Sequence, residues 1–460
     1  MRLARAAGVE SETSSSGLRR ELGLRDLSLF AVICIVGTRW IPAAAHTGPG
    51  AVLLWVLAAL FFAVPLAVTV AALTVKYKGV AGGFYVWTRH EFGPWHAFLC
   101  FWIYWTGLTF WLPGAALFYM SAGFQALGPA WAGLADSRAA LLAVTLAAIW
   151  IALGTNLVGL KIGKWTQSFG AIAAWLLVIL LAVVAFEVWG QRGPATALDV
   201  IPHWDWRTLS FWAAIAYAMT GLELASLMGA EIHDPERTLP RAGWIASATA
   251  VLFYSVATIS MLVILPPGGI SEMNGFAQAG GAAGTLLGIS WLAPLIAALV
   301  MASALGQIGG IGTAVSRLPF AAGVDQLLPA AFARVHPRWH TPHVSILAFG
   351  AVSSFLLVAM QLGDSMRAAY QELVSLTLIG GFLPFVYMFA SAWKAGRRLS
   401  SISGLAITLL AVVCSAVPTA EVAHVGLFEF KLALGTAAMI GSARLLYNRH
   451  AGRIAAAGGQ

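Results

Sequence analysis

The fold class predicted for this chain is an all-α integral membrane protein, and three observations predict it. The first is composition. Of 460 residues, 59% are hydrophobic and 10% charged, and the mean hydropathy is +0.81, whereas a soluble chain has about 45–50% apolar and about 25% charged residues. No water-soluble fold hides that much apolar surface, so lipid must face it. The second is segmentation: the apolar residues gather into twelve stretches near the ~20 residues that a helical span requires. The third is an asymmetry of basic residues in the connections between those stretches.

The chain opens on a polar, basic, Ser-rich tail, residues 1–26. It lacks an apolar core followed by a small-residue cleavage site, so a disordered cytoplasmic tail is expected rather than a signal peptide. The twelve stretches follow at about 27–48, 50–74, 95–124, 137–158, 164–189, 208–231, 241–265, 287–316, 343–363, 373–393, 402–419 and 428–447. A transporter-sized transmembrane domain over 27–447 and a cytoplasmic tail over 448–460 result. With the N-terminus inside, 21 Lys and Arg fall in cytoplasmic segments and five outside (Arg138, Arg192, Arg207, Arg367 and Lys431); Arg39, inside a span, completes the 27. That bias predicts both termini in the cytoplasm and a cell-membrane location. It also accounts for the net charge of +8 without a nucleic-acid partner.

Catalysis has little to stand on. The longest connection, Arg317 to Pro342, is too short for a soluble domain, and no HExxH, GxSxG or Walker-type loop is present. Cys34, Cys100 and Cys414 lie in apolar runs and read as small hydrophobes. His336, His340 and His343 invite a zinc site, but Pro337 and Pro342 break that stretch, so neither a metal nor another cofactor is expected.

The exceptions to apolarity carry the functional information. Arg39 in span one and Glu223 in span six are the two formal charges deep in the hydrocarbon, each costing about 2.5–3.5 kcal/mol at mid-span. At 1.5 Å per residue they lie roughly 18 Å and roughly 14 Å from the inner face. Similar depth allows an ion pair between helices, and it equally allows a transport site. Both charges sit where the helix reads as interrupted: Gly37-Thr38-Arg39-Trp40-Ile41-Pro42 in one, Tyr217-Ala218-Met219-Thr220-Gly221-Leu222-Glu223 in the other. Freed backbone groups at mid-membrane are tolerated only where they line a protein cavity. Spans one and six occupy corresponding places in a five-plus-five inverted repeat, where transporter sites form. The repeats would cover about 27–190 and 206–395, with two further helices over 400–447. Gly82-Gly83 before span three and Gly280-Gly281 before span eight echo the repeat.

Three stretches carry a resemblance: GGFYVWTRHEFGPWHAF (Gly82 to Phe98), AYAMTGLELASLMGAEIHDPERTLPRA (Ala216 to Ala242) and SRLPFAAGVDQLLPAAFARVHPRWHTP (Ser316 to Pro342). They resemble the start of helix 3, helix 6 with its exit, and the segment after helix 8 in the amino acid–polyamine–organocation (APC) superfamily. The resemblance covers about residues 20–450 and implies the LeuT-type fold. It also implies a secondary transporter, a permease or antiporter, of amino acids or related amines. Family members often carry Gly-Ser-Gly in helix 1; here Arg39 replaces the second glycine. The R-x-x-P run at Arg39, with Trp102, Trp105, Trp111 and Pro113, is similar to the glutamate/γ-aminobutyrate antiporter branch. The lysine that some proton-coupled relatives carry in helix 5 is Ala173 here.

The resemblance therefore implies alternating access around helices 1 and 6. Gly37, Thr38 and their neighbours would hold the substrate carboxylate at the first break. Arg39 would hold an anionic group or supply a fixed positive charge. Trp40, with Tyr217, Met219, Thr220 and Gly221 of the second break, would complete the substrate contacts. Tyr104 and Trp105 would shape the cavity, and Glu223 would gate or relay a proton, with Arg39 as its charged counterpart. Coupling by protons or by exchange, and assembly into a homo-oligomer, are left open. A channel, a membrane-embedded enzyme and a transport-like receptor are the competing classes. For the two charges, pairing is favoured over a substrate role for Arg39, because similar depth is read directly from the sequence.

Overall fold

Helices account for nearly all of the regular structure because an apolar backbone in lipid must satisfy its own amides and carbonyls. The computed structural model describes residues 22–77, 82–126, 131, 133–135, 137–201, 206–227, 232–324, 326–360, 366–417 and 424–457. Most of the predicted N-terminal tail, residues 1–21, lies outside them. The helices are α1 (Leu24–Ile35), α2 (Trp40–His46), α3 (Ala51–Lys76), α4 (Gly83–Phe92), α5 (Pro94–Ala126), α6 (Arg138–Leu157), α7 (Leu160–Arg192), α8 (Trp206–Ala218) and α9 (Leu222–Leu227). There follow α10 (Pro235–Ile264), α11 (Gly275–Leu287), α12 (Leu292–Val315), α13 (Arg317–Val324), α14 (His343–Met360), α15 (Met366–Lys394), α16 (Arg398–Ser415) and α17 (Val425–Ala457).

Each predicted stretch falls on a helix or a helix pair. Among the described residues, eight helices are long and apolar enough to cross a membrane, and the pair α1–α2, bent by 46°, makes a ninth. Two shorter apolar helices run over Phe211–Leu227 and His343–Ala359. The connection from Arg317 to Pro342 is more ordered than expected, carrying α13 and a 3-10 turn at Ala330–Ala333. The last helix continues to Ala457, beyond the predicted end at 447.

Small residues set the closest helix approaches, as expected where lipid removes the hydrophobic drive between helices. A Cβ on Gly380 of α15 would lie 2.5 Å from the Gly107 Cα of α5, and one on Gly170 of α7 would lie 2.2 Å from the Gly306 amide nitrogen of α12. Proline is absorbed in α3 by a paired device. Pro65 has no amide to give to the carbonyl four residues back, a π turn spans Ala59–Ala63, and Ser403 of α16 donates to the orphaned Phe61 carbonyl at 2.7 Å.

Both predicted interruptions are present. Val36–Arg39 separates α1 from α2, and Met219–Gly221 separates α8 from α9. Gly221 adopts φ +123°, a conformation open to glycine. A Cβ there would also lie 2.9–3.0 Å from Cys34 C and O and Ile35 N, so the second break packs backbone to backbone on the end of α1. At the face where the chain begins, the His233 amide donates to the Leu22 carbonyl at 2.9 Å, joining the start of α1 to the segment after α9.

Candidate functional site

The Arg39 side chain is 1% exposed, and its polar environment is incomplete. Nε and Nη2 have no hydrogen-bond partner. These two nitrogens form one edge of the guanidinium, the edge that grips a carboxylate through two parallel N–H···O bonds. The flat faces are occupied instead: the guanidinium carbon lies 4.1 Å from the Trp40 ring centroid and 5.6 Å from that of Trp111. Nη1 points toward α5, where a Cβ on Gly114 would come within 3.6 Å of it. Desolvated cation–π stacking is worth about 2 kcal/mol, and each buried unsatisfied polar group costs about 1–3 kcal/mol. Stacking alone therefore leaves the free edge wanting an anion.

Glu223 is 0% exposed and satisfied differently. Tyr104 Oη donates to Oε1 at 2.5 Å, and the Gly221 amide donates to Oε2 at 2.8 Å. Its oxygens are met by a phenol and by the backbone freed at its own helix break, and no cation lies within ion-pair distance among the described residues. The expected Arg39–Glu223 pair is thus not formed. Similar depth along two helices did not bring the side chains together, because Glu223 turns toward α5 at Tyr104 while Arg39 lies under Trp40 and Trp111.

The other predicted residues divide. Trp40 and Tyr217 meet edge to face at 5.8 Å between centroids, and Tyr217 continues to Phe382 of α15 at 5.4 Å. Thr38 Oγ1 lies 3.2 Å from Ser303 Oγ and 3.4 Å from Tyr119 Oη, and Tyr119 donates to Gln307 Oε1 at 2.6 Å. Met219 is buried in the second break, and Thr220 Oγ1 turns back to the Tyr217 carbonyl at 2.7 Å. Gly37 does not offer a free amide, as the carboxylate-binding expectation required: its N–H donates to Tyr254 Oη at 2.8 Å. Trp105 stands apart, its ring meeting Trp102 at 5.3 Å and Phe349 of α14 at 6.5 Å. The sequence reading missed Tyr119, Ser303, Gln307 and Tyr254; the available signal was a polar atom inside an otherwise apolar span.

Two cavities adjoin the breaks. One, of about 40 Å³, lies at the face opposite Leu22 and includes Trp40, Phe211, Glu272, Tyr370 and Gln371 in its lining. Trp40 belongs both to this cavity's wall and to the stack on Arg39. The other, of about 10 Å³, lies between α1, α5, α7 and α12 and is lined in part by Tyr119, Ser303 and Gln307.

At the Leu22 face, outside the spans, Glu91 of α4 gathers Lys76, Tyr77 and Lys394. Lys76 and Tyr77 donate to Glu91 Oε1, and Lys394 Nζ lies 3.8 Å from Oε2 and donates to the Glu91 carbonyl at 2.8 Å. Burial pushes the carboxyl up, but the hydrogen bonds from Lys76 and Tyr77 and the charge of the two lysines outweigh it and hold it below the usual range. Burial and Glu91 together push the Tyr77 phenol up. Of the three histidines considered for zinc, His336 stacks on Trp339 at 4.3 Å, and its Nδ1 accepts from the amides of Arg338 and Trp339.

Comparison with known proteins identifies the setting of this site. A family model described as amino acid permease matches residues 22–421. An uncharacterized transporter of Legionella pneumophila is 25% identical, covering 82% of this chain and 81% of its own. The serine/threonine exchanger SteT of Bacillus subtilis is 27% identical over 85% of this chain and 88% of its own. A probable agmatine/putrescine antiporter, AguD of Lactococcus lactis, is 22% identical over 81% of this chain and 80% of its own.

Proposed function

The chain belongs to the amino acid permease family, and from that premise we propose a secondary carrier that binds the carboxylate of an amino acid or related compound on the free edge of Arg39. The observation that carries the proposal is the buried guanidinium with Nε and Nη2 unmet. A carboxylate there gains two charge-assisted hydrogen bonds in a place where water cannot compete. The Thr38 hydroxyl and the Trp40 and Tyr217 rings lie beside that position, and Glu223 is the nearby group able to take up and release a proton. The names of the relatives, an exchanger of serine and threonine and an antiporter of agmatine and putrescine, favour amino acids or amines as cargo and exchange as a mode.

The architecture proposed is twelve crossings in the LeuT-type five-plus-five arrangement plus two C-terminal helices, in the cell membrane with both termini cytoplasmic. Two observations support the repeat. Both interrupted helices stand where it requires them, and the glycine contacts pair span three with ten and span five with eight, pairs that the repeat exchanges.

The test is uptake and counterflow in proteoliposomes with neutral amino acids, glutamate, γ-aminobutyrate, agmatine and putrescine. Saturable counterflow of at least one carboxylate-bearing member of the panel is expected. Counterflow of agmatine or putrescine alone would overturn the assignment of Arg39 as a carboxylate site. Binding without flux, or ion currents without counterflow, would replace the carrier with a receptor or a channel. Competition within that panel also separates the glutamate/γ-aminobutyrate branch from carriers in which Arg39 holds only the α-carboxylate.

A further inference from the structure

A helix interrupted at mid-membrane leaves amides and carbonyls that must find partners, and in this molecule one phenol serves several of them. Tyr254 of α10 donates its hydroxyl proton to the Ile35 carbonyl at 2.7 Å and accepts from the Gly37 amide at 2.8 Å. The carbonyl belongs to the last residue of α1, and the amide lies within the first break. The same oxygen lies 3.5 Å from the Ala218 carbonyl at the edge of the second break. The phenol is itself held: its ring stacks on Trp55 of α3 at 4.2 Å with an interplanar angle of 8°, and Trp55 Nε1 donates to Thr258 Oγ1 at 3.1 Å.

We infer that Tyr254 is a positioning residue of the substrate site, its hydroxyl fixing the course of Val36–Arg39 and so aiming the free edge of Arg39. The inference rests on the carrier reading above. Gly37 and Arg39 are separated by a single residue, so the peptide that Tyr254 holds directs the guanidinium. The room around that peptide is small, since a Cβ on Gly37 would meet Gln307 Nε2 at 2.3 Å and the Trp40 ring at 3.0 Å. Without the hydroxyl, the Ile35 carbonyl and the Gly37 amide lose their partner together, and the segment relaxes into whatever alternatives water or its neighbours offer. The ring, still stacked on Trp55, keeps the packing.

Tyr254→Phe therefore separates the hydroxyl from the packing. Affinity for radiolabelled L-glutamate and L-serine, measured by binding to the purified protein, is expected to fall about tenfold for whichever binds, the worth of about one hydrogen bond, with maximal counterflow changed less. In an Arg39→Lys background, which has already lost the bidentate edge, the same change is expected to cost less than about twofold. Equal losses in both backgrounds would make Tyr254 a general structural residue and overturn the inference. Hydrogen–deuterium exchange supplies an arm independent of substrate: Tyr254→Phe should raise exchange in the peptide over residues 30–45 and leave α12 unchanged. If wild type neither binds nor exchanges either amino acid, the Arg39 site as a carboxylate site for these substrates fails, and exchange still decides whether the hydroxyl holds the break. Unchanged exchange overturns the inference by itself. Should Tyr254→Phe not fold, Trp55→Phe, which loosens the stack beneath the phenol, is expected to move affinity and exchange in the same direction; neither moving overturns it.

Discussion

Arg39 and Glu223 pose the same physical problem at similar depth, and the protein treats them in opposite ways. Glu223 receives one donor on each carboxylate oxygen, from Tyr104 and the Gly221 amide. Arg39 receives two aromatic faces and leaves Nε and Nη2 unmet. A buried polar group that is satisfied can stand on its own through a transport cycle. One that is left unsatisfied is costly until something arrives, and the arrival is then correspondingly favourable. Under the carrier proposed above, Glu223 is the group that would handle a proton and Arg39 the group that would receive an anion.

The largest effect that would sharpen this contrast is expected at Arg39. Arg39→Met removes two charge-assisted hydrogen bonds to substrate, each worth about 1.5–3 kcal/mol, so transport should fall at least about 100-fold. Thermal unfolding without substrate should stay level or rise, because an unmet charge has been exchanged for an apolar side chain. A drop of about 3–5 kcal/mol in stability, the signature of a broken buried pair, would contradict the free-edge assignment. Glu223→Gln comes next. It keeps a neutral acceptor for Tyr104 but cannot release a proton, so flux should fall roughly tenfold or more and its pH dependence should flatten. An unchanged pH–flux profile would reduce Glu223 to a structural residue.

Combining the two substitutions addresses the comparison directly. Groups that do not touch should show stability effects adding within about 0.5 kcal/mol. A larger coupling energy in that cycle would restore the ion pair. The smallest effect is expected at Glu91, the partnered carboxylate outside the spans. Its folded pKa lies below the unfolded value of about 4.3, so its contribution is present above that pH and is lost as pH falls through the lower folded value. Glu91→Gln should therefore lower the melting temperature slightly at neutral pH and make no difference in strong acid. The reverse ordering would show that Lys76, Tyr77 and Lys394 do not favour the charged form.

The difference between Arg39 and Glu223 also marks where sequence reading stops. Hydropathy located the helical stretches because lipid imposes one requirement on each of them. The interruptions were legible because glycine and proline bracket a charge over Gly37–Pro42, and because Gly221 stands two residues before Glu223. Azimuth was not. Whether a side chain at a given depth faces a neighbour's charge, a tryptophan or a phenol depends on how the helices are rotated, and the periodicity of uniformly apolar helices carries almost no such information. Pairing was predicted from depth alone and is absent for that reason. Tyr254 escaped notice for a related one: a tyrosine in a membrane helix reads as packing until its hydroxyl is seen on a broken backbone.

The Tyr254 hydroxyl and the Ile35 carbonyl it serves are separated by 219 residues, which has a consequence for biosynthesis. At about 5–20 residues per second, the first broken helix leaves the ribosome roughly 10–40 s before its partner exists. During that interval the bare amide and carbonyl of the break cannot rest in dry hydrocarbon. The nascent helix must be held in a hydrated channel or against a borrowed polar surface until α10 arrives. The segment proposed to hold substrate is thus also one that the membrane-insertion machinery has to shelter.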